Sequence, residues 1–342
     1  MASKSGSGRV TIKTVAEDAG VSVAAVSKVL RDAYGVSDAL RARVRASMQK
    51  LGYRPHTAAR GMRGQTYTLG VLLPDIHNPF FTDIVAGINT ALERTQYQTL
   101  FGIVQSSPAA EQALIEAMLD RQMDGIIFVG PRSQREAIEA VASRLPMSVI
   151  AHHADTQAYD TVNNDDELGA RLVVQHLAKG GYRNIAMLGL GLQPNEMAQV
   201  TLQRELGYRN AMDEVGLRRY TKIIRAEQTA REVQGSVRQL LRSRGRPEAI
   251  FCWTDFIALE VLSVAHELGL SVPGDLAVVG YDNTSYCDLM QNALTSVDQS
   301  GQVLGLQAAR LLVERVAGRT TAEHFTVTPR LVERASSHPR TV

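Results

Sequence analysis

Two groupings of aromatic and polar residues have the chemistry to hold a small polar molecule. Asp75, Asn78, Phe80 and Phe81 follow the apolar run 67–74, and Trp253, the only tryptophan, closes the run 249–253. Aromatic rings stack on the apolar faces of a sugar, while carboxylates and amides exchange hydrogen bonds with hydroxyls. Phe80 and Phe81 can equally cap a helix and fill a core, and Trp253 can equally be packing. The adjacent His152 and His153 are a weak pointer to metal or pH sensing. Covalent chemistry has little to work with. There is no G-x-S-x-G, P-loop or H-E-x-x-H, and Gly189-Leu190-Gly191 lacks the third glycine of a dinucleotide-binding turn. Cys252 and Cys287 have neither metal-ligand spacing nor an evident histidine partner, so inert, reduced thiols are expected. The chain is therefore expected not to be an enzyme, and to use no metal and no cofactor.

The elements that position these residues alternate between strand and helix. From Tyr67 onward, short runs rich in Val, Ile and Leu (67–74, 98–104, 124–130, 147–152, 184–190, 221–226, 249–253, 276–282 and 294–299) are separated by helical patterns. Runs apolar on both faces indicate parallel strands covered by helices on both sides. So many units suit two doubly wound sheets, one over about 66–163 and one over about 166–293, with later segments crossing back. Such sheets bind ligands at the carboxyl ends of their strands, and two facing sheets make a cleft.

The first 64 residues differ in kind. They hold twelve Lys/Arg against four Asp/Glu, a net of +8, whereas the remaining residues hold 25 against 31, a net of −6. A basic head on an acidic body implies a polyanionic partner, unless the charge is only a solvated face. Ile12, Val15, Ala16 and Ala19 share a helix face that Gly20 can end, and Ser22 suits the N-cap of a second helix over 23–31. A third helix follows, capped by Ser37, with Leu40, Val44, Met48 and Leu51 inward and Arg41 and Arg45 outward. Three short helices around one small core, with a tight turn between the first two, make a helix-turn-helix unit. Residues 53–65 contain Pro55, Gly61 and Gly64 and read as a linker, although 57–60 is a fair helical turn. No run of about 18 apolar residues exists, and the start has no apolar leader, so a cytoplasmic protein without a membrane partner is expected.

Residues 11–81 carry a more specific signal: T-I-x-x-V-A-x-x-A-G-V-S, then V-S-x-V-L, Val36-Ser37, Leu51-Gly52-Tyr53-x-Pro55, and Pro74-Asp75 through Asn78-Pro79-Phe80-Phe81. In these motifs the chain resembles the LacI/GalR family of bacterial transcription regulators, and later motifs extend the resemblance over nearly its whole length. The resemblance implies a helix-turn-helix DNA-binding head (1–52), a hinge helix (53–65) and a periplasmic-binding-protein-like core (66–342). Within that core, one subdomain takes about 66–163 plus 298–325 and the other about 164–297 plus 326–336. It implies operator DNA, a small-molecule effector and a second copy of the chain as partners. Val23 and Ala24 would open the recognition helix, where apolar side chains can meet a thymine methyl but no hydrogen-bonding base edge. Readout then falls on Lys28, which lacks the planar fork of the arginine usual there. Ser22, Ser27 and Arg31 complete this face. Ala59, Arg60 and Met62 would lie in the minor groove, Met62 as the wedge.

In the core the resemblance assigns Arg204 and Asp282 to ligand binding and adds Gln299; a carboxylate at a strand end can accept two sugar hydroxyls. The chain departs from the family at Trp253-Thr254-Asp255, where Asn-Asp is usual, and at Ala151-His152-His153, where an acid–arginine pair is usual. It departs again at Asn292-Ala293, where a proline is common. His152 and Thr254 thereby join the expected site. Without the acid–guanidinium pair, a neutral mono- or disaccharide fits better than a phosphorylated effector. The expected function is a dimeric repressor released by a saccharide. A regulator assisted by a phosphorylated sugar, nucleobase or other metabolite as co-repressor is the alternative.

Overall fold

The computed structural model describes residues 10–30, 33–53, 65–104, 107–191, 199–226 and 229–339. The chain divides into two compact units, residues 1–66 and 67–342.

The first unit is built from α1 (Ile12–Ala19), α2 (Val23–Leu30) and α3 (Asp38–Leu51). Thr11 and Thr14 close a reciprocal cap at the start of α1, and Gly20, at φ 64°, ends it in the left-handed conformation. Ser22 Oγ accepts from Ala25 N at 3.1 Å and so starts α2 one turn later. Val15, Ala16, Ala19, Val26, Val29 and Val44 form the core. Leu40, Met48 and Leu51 pack on it only partly buried, while Ser47 is buried and donates to Val15 O, tying α3 to α1.

Among its described residues the second unit holds two six-stranded sheets. The first contains β1 (Thr68–Leu73), β2 (Gln98–Ile103), β3 (Gly125–Val129), β4 (Met147–Ile150), β5 (Asp160–Asn164) and β11 (His324–Val327), in the order β11-β5-β4-β3-β1-β2. The second contains β6 (Ile185–Leu190), β7 (Lys222–Ala226), β8 (Ala249–Cys252), β9 (Ala277–Asp282), β10 (Thr295–Asp298) and β12 (Arg330–Val332), in the order β12-β10-β9-β8-β6-β7. Among the described residues every ladder is parallel except β10–β12. Alternate residues of the central strands enter different cores. In β1, Leu69, Val71 and Leu73 face α4 (Pro79–Leu92) and α11 (Gly301–Val316), whereas Leu72 joins the core packed with α5 (Pro108–Asp120) and α6 (Arg135–Ala142). The second sheet is covered likewise by α7 (Asp166–Lys179) and α8 (Gln199–Glu214) on one face. Its other face carries α9 (Ala230–Leu241) and α10 (Asp255–Glu267).

The chain crosses between the sheets three times. It passes from β5 to the second sheet through α7, returns after β10 through α11 and β11, and ends in β12. β11 runs to Val327, past the expected crossing at 325. Helices α4 and α11 approach so closely that a Cβ on Gly87 would lie 2.0 Å from Gln302 O, and one on Gly305 would lie 1.9 Å from Ile84 O. Only glycine permits that contact, which fixes α4 against the segment that follows Gln299.

Strand β5 escaped the sequence reading because Asp-Thr-Val-Asn-Asn looks like a loop. Its polar side chains are buried and, apart from Asn164 Oδ1, paired. Asp160 is held by Arg315 and Arg319 at 2.8–3.2 Å, Thr161 by His324 at 2.8 Å, and Asn163 by the backbone of His152.

Candidate functional site

In the helical unit, Ser22, Val23, Ala24 and Lys28 are exposed on one side of α2 and Ser27 is half-buried, while Val26 and Val29 face inward. Ser22 Oγ accepts the cap bond and keeps its own proton free to donate. The expected contacts Arg31, Ala59, Arg60 and Met62 lie outside the described residues. Arg45 is exposed, and Arg41 reaches the carbonyl of Ala33 at 3.5 Å.

In the second unit a cavity of about 490 Å³ lies between the two sheets, within the range of small-molecule sites. Its wall is made where strands end: Pro74 and Asp75 after β1, Val129 and Gly130 at β3, Ile150 and Ala151 at β4. Asn164 closes β5, Leu190 closes β6, Trp253 follows β8, Asp282 closes β9 and Gln299 follows β10. That is where doubly wound sheets bind ligands. Asp75, Asn78, Phe80, Phe81, Arg204, Trp253, Thr254, Asp282 and Gln299 all border it. Phe80 also belongs to the core, with its ring tilted 57° to that of Phe81 at 5.8 Å. Thr254 caps α10 through Ile257 N, and Asp75 Oδ1 accepts from His77 N and Asn78 N to shape the entry to α4.

The polar wall forms one connected network. Asn78 Oδ1 accepts from Phe80 N, which turns its Nδ2 toward Asp282 Oδ2 at 2.9 Å. Gln299 Oε1 accepts from Asn164 Nδ2 at 3.3 Å and from Arg204 Nη2 at 3.1 Å, and Gln299 Nε2 donates to Asp282 Oδ1 at 2.6 Å. Asp282 itself has φ 114°, a conformation rare for a side-chain-bearing residue. Burial, reinforced by the carboxylate of Asp255, pushes its pKa up to about 8 against the pull of Arg204, Asn78 and Gln299. Arg204 is buried; its Nε donates to Asp166 Oδ1 at 2.8 Å and its Nη1 to Trp253 O at 2.8 Å. The guanidinium carbon stands 3.7 Å from the Tyr281 ring centroid and 4.7 Å from that of Trp253. Burial opposes the Arg204 charge, but Asp166, Tyr281 and Asp282 outweigh it and hold the pKa above the ordinary value.

His152 does not border this cavity, contrary to the sequence expectation. Ala151, at φ 60°, turns the chain so that Ala151 lines the wall. His152 packs instead against Tyr159, with its backbone paired to the Asn163 side chain. Burial first, then the charges of His153 and Arg135, push its pKa down to about 4. His153 reaches Asp166 Oδ2 at 3.0 Å. Among the described residues no group of three His, Cys, Asp or Glu is placed to hold a metal ion.

Asp166, Asn164 and Thr201 border the cavity without having been expected there. Asp165-Asp166 opens a helix, where one acid suffices as a cap. Asp165 fills that role through Leu168 N at 2.9 Å, so the second acid was the available signal. Three polar atoms on the wall residues are buried without a hydrogen-bond partner among the described residues: Asn164 Oδ1, Thr201 Oγ1 and Trp253 Nε1.

One arrangement elsewhere has the atoms of an acyl-transfer triad. His176 Nε2 lies 2.8 Å from Ser337 Oγ, and His176 Nδ1 lies 3.5 Å from Glu333 Oε1. Ser337 is 1% exposed, is bonded to Thr295 Oγ1 and takes no part in the cavity wall. A nucleophile needs substrate access, so these residues tie α7 to the C-terminal segment.

Residues 11–56 match the family model described as bacterial regulatory proteins, lacI family, and residues 174–337 match a periplasmic binding protein-like domain. Catabolite control protein A of Priestia megaterium is 33% identical over 329 residues, covering 95% of this chain and 98% of its own. The lac repressor dimer bound to operator and the anti-inducer ONPF superposes with a TM-score of 0.82 at 25% identity, covering 97% of this chain and all of the other. The transcriptional regulator CelR in complex with cellobiose superposes with a TM-score of 0.70 at 26% identity, over 96% of this chain and all of the other. With an exposed helix-turn-helix face, a two-sheet core and relatives matched over nearly their full length, the chain belongs to the LacI family of bacterial transcription regulators.

Proposed function

We propose that this regulator is a dimeric repressor that reads a pseudo-palindromic operator and releases it when a neutral mono- or disaccharide occupies the cleft. The cavity wall carries the argument. Arg204 is already neutralised by Asp166, and burial keeps Asp282 largely protonated at neutral pH. For a phosphorylated effector Arg204 is already committed to Asp166, whereas hydroxyls find donors and acceptors in Asn78, Asp282, Gln299 and Arg204. CelR holds cellobiose in a similar fold, which supports a saccharide here.

The exposed residues Ser22, Val23, Ala24 and Lys28, with Ser27, form the DNA-reading face, Lys28 at base edges and the serines at phosphates. Two-fold operators require two heads. Leu100 and Phe101 on the edge strand β2, 49% and 46% exposed, supply apolar surface for a second copy. The effector acts by its difference in affinity for two arrangements of the core. Melting of the full chain against a panel of neutral mono- and disaccharides tests the reading, because a ligand selective for the native state raises the melting temperature. One stabilising sugar that also weakens DNA binding supports it. Stabilisation only by a sugar phosphate or nucleobase contradicts it.

A further inference from the structure

We infer that Trp253 recognises the effector through its indole N–H, with Thr201 and Asn164 taking neighbouring hydroxyls, so that the cleft selects an uncharged polyhydroxyl ring by hydrogen bonding rather than by stacking on tryptophan. This rests on the saccharide reading above and adds the residues that discriminate.

Three residues that border the same cavity each carry a buried polar atom with no partner among the described residues: Asn164 of β5, Thr201 in the first turn of α8, and Trp253 just after β8. Asn164 and Thr201 are 3% and 0% exposed. The Asn164 amide is oriented by its Nδ2, which donates to Gln299 O at 3.0 Å, so its Oδ1 remains as an acceptor. Trp253 Nε1 can only donate, and Thr201 Oγ1 can do both. Buried polar atoms are nearly always paired, and leaving them unpaired costs free energy that a bound hydroxyl restores. A sugar hydroxyl both donates and accepts, so one class of ligand serves all three.

Stacking is the poorer use of Trp253. Arg204 already stands 4.7 Å over its ring, held there by bonds to Asp166, Trp253 O and Gln299. A flat aromatic effector would compete with that guanidinium for the ring.

Because the chain has one tryptophan, full-length protein carrying ¹⁵N-indole tryptophan gives a single indole N–H resonance. The probes are ribose, glucose, maltose and cellobiose. The sugar that raises the melting temperature most is expected to move that resonance downfield and slow its exchange with deuterium. Trp253→Phe and Thr201→Val are each expected to weaken that sugar about tenfold or more, with each shift read against the melting temperature of the same variant without sugar. A sugar that binds with the indole resonance unmoved and full affinity for Trp253→Phe overturns this inference and leaves the saccharide reading standing. No binding of any of the four, with stabilisation by a nucleoside or a sugar phosphate, overturns both. Should Trp253→Phe fail to fold, the resonance and Thr201→Val decide.

Discussion

Asn78 and Asp282, 204 positions apart in sequence, meet at 2.9 Å between the N-terminus of α4, beside the first sheet, and the last residue of β9 in the second. Neither orientation is accidental: the cap bond to Phe80 N turns the amide of Asn78 outward, and Gln299 holds the other oxygen of Asp282. The pair joins the two halves of the core across the cavity, so it bears directly on whether the cleft is closed.

Replacing Asn78 separates its two roles. Asn78→Ser keeps a capping side chain but shortens it, whereas Asn78→Asp keeps the cap and sets a second carboxylate against Asp282. At about pH 9, above the Asp282 pKa, Asn78→Asp is expected to lower core stability by about 1–3 kcal/mol relative to Asn78→Ser, with part of the loss recovered toward neutral pH. Urea unfolding of both variants checks this, and equal midpoints for the two would remove the cross-cleft role.

The titration of Asp282 gives a pH dependence of definite sign. Its pKa of about 8 lies above the unfolded value of about 3.9, so across that window the native state binds more protons and stability falls as pH rises. His152 runs the other way. Its pKa of about 4 lies below the ordinary 6.5, so its contribution rises with pH between those values. The two oppose each other up to about pH 6.5, and above it Asp282 alone remains. Between about pH 6.5 and 8 the melting temperature should fall, and Asp282→Asn should flatten that slope. Parallel slopes for parent and variant contradict it.

The Arg204–Asp166 pair is buried on both sides. Removing only the cation, as in Arg204→Met, strands a buried carboxylate and is expected to cost about 3–5 kcal/mol. Adding Asp166→Asn should restore part of that loss. A double variant no more stable than the single one would show that the ion pair is not the cause.

On the DNA side, Lys28→Ala should weaken specific binding by about 1–3 kcal/mol and relax the preference at one base position. Lys28→Arg should sharpen it. Binding selections with the three proteins measure this, and identical base preferences would place Lys28 at the phosphates instead.

Most of the fold could be read from the chain because central strands apolar on both faces, such as β1 and β8, have few other uses. β5 could not, since its burial depends on Arg315, Arg319 and His324, more than 150 positions away. The cleft was legible in the same uneven way. Asp75, Asn78 and Trp253 stand at ends of visible strands, whereas Arg204 looks like any helix arginine until Asp166 and Tyr281 are seen around it. His152 was misplaced because nothing in Ala151-His152-His153 announces the left-handed turn at Ala151.

The most direct test is a selection from a random duplex library with the purified full chain, followed by titration of the enriched duplex with neutral mono- and disaccharides. A two-fold symmetric site, lost by residues 67–342 alone and released by one sugar, is the expected result. Enrichment of no symmetric site, or a site whose occupancy no sugar changes, would contradict a saccharide-released repressor.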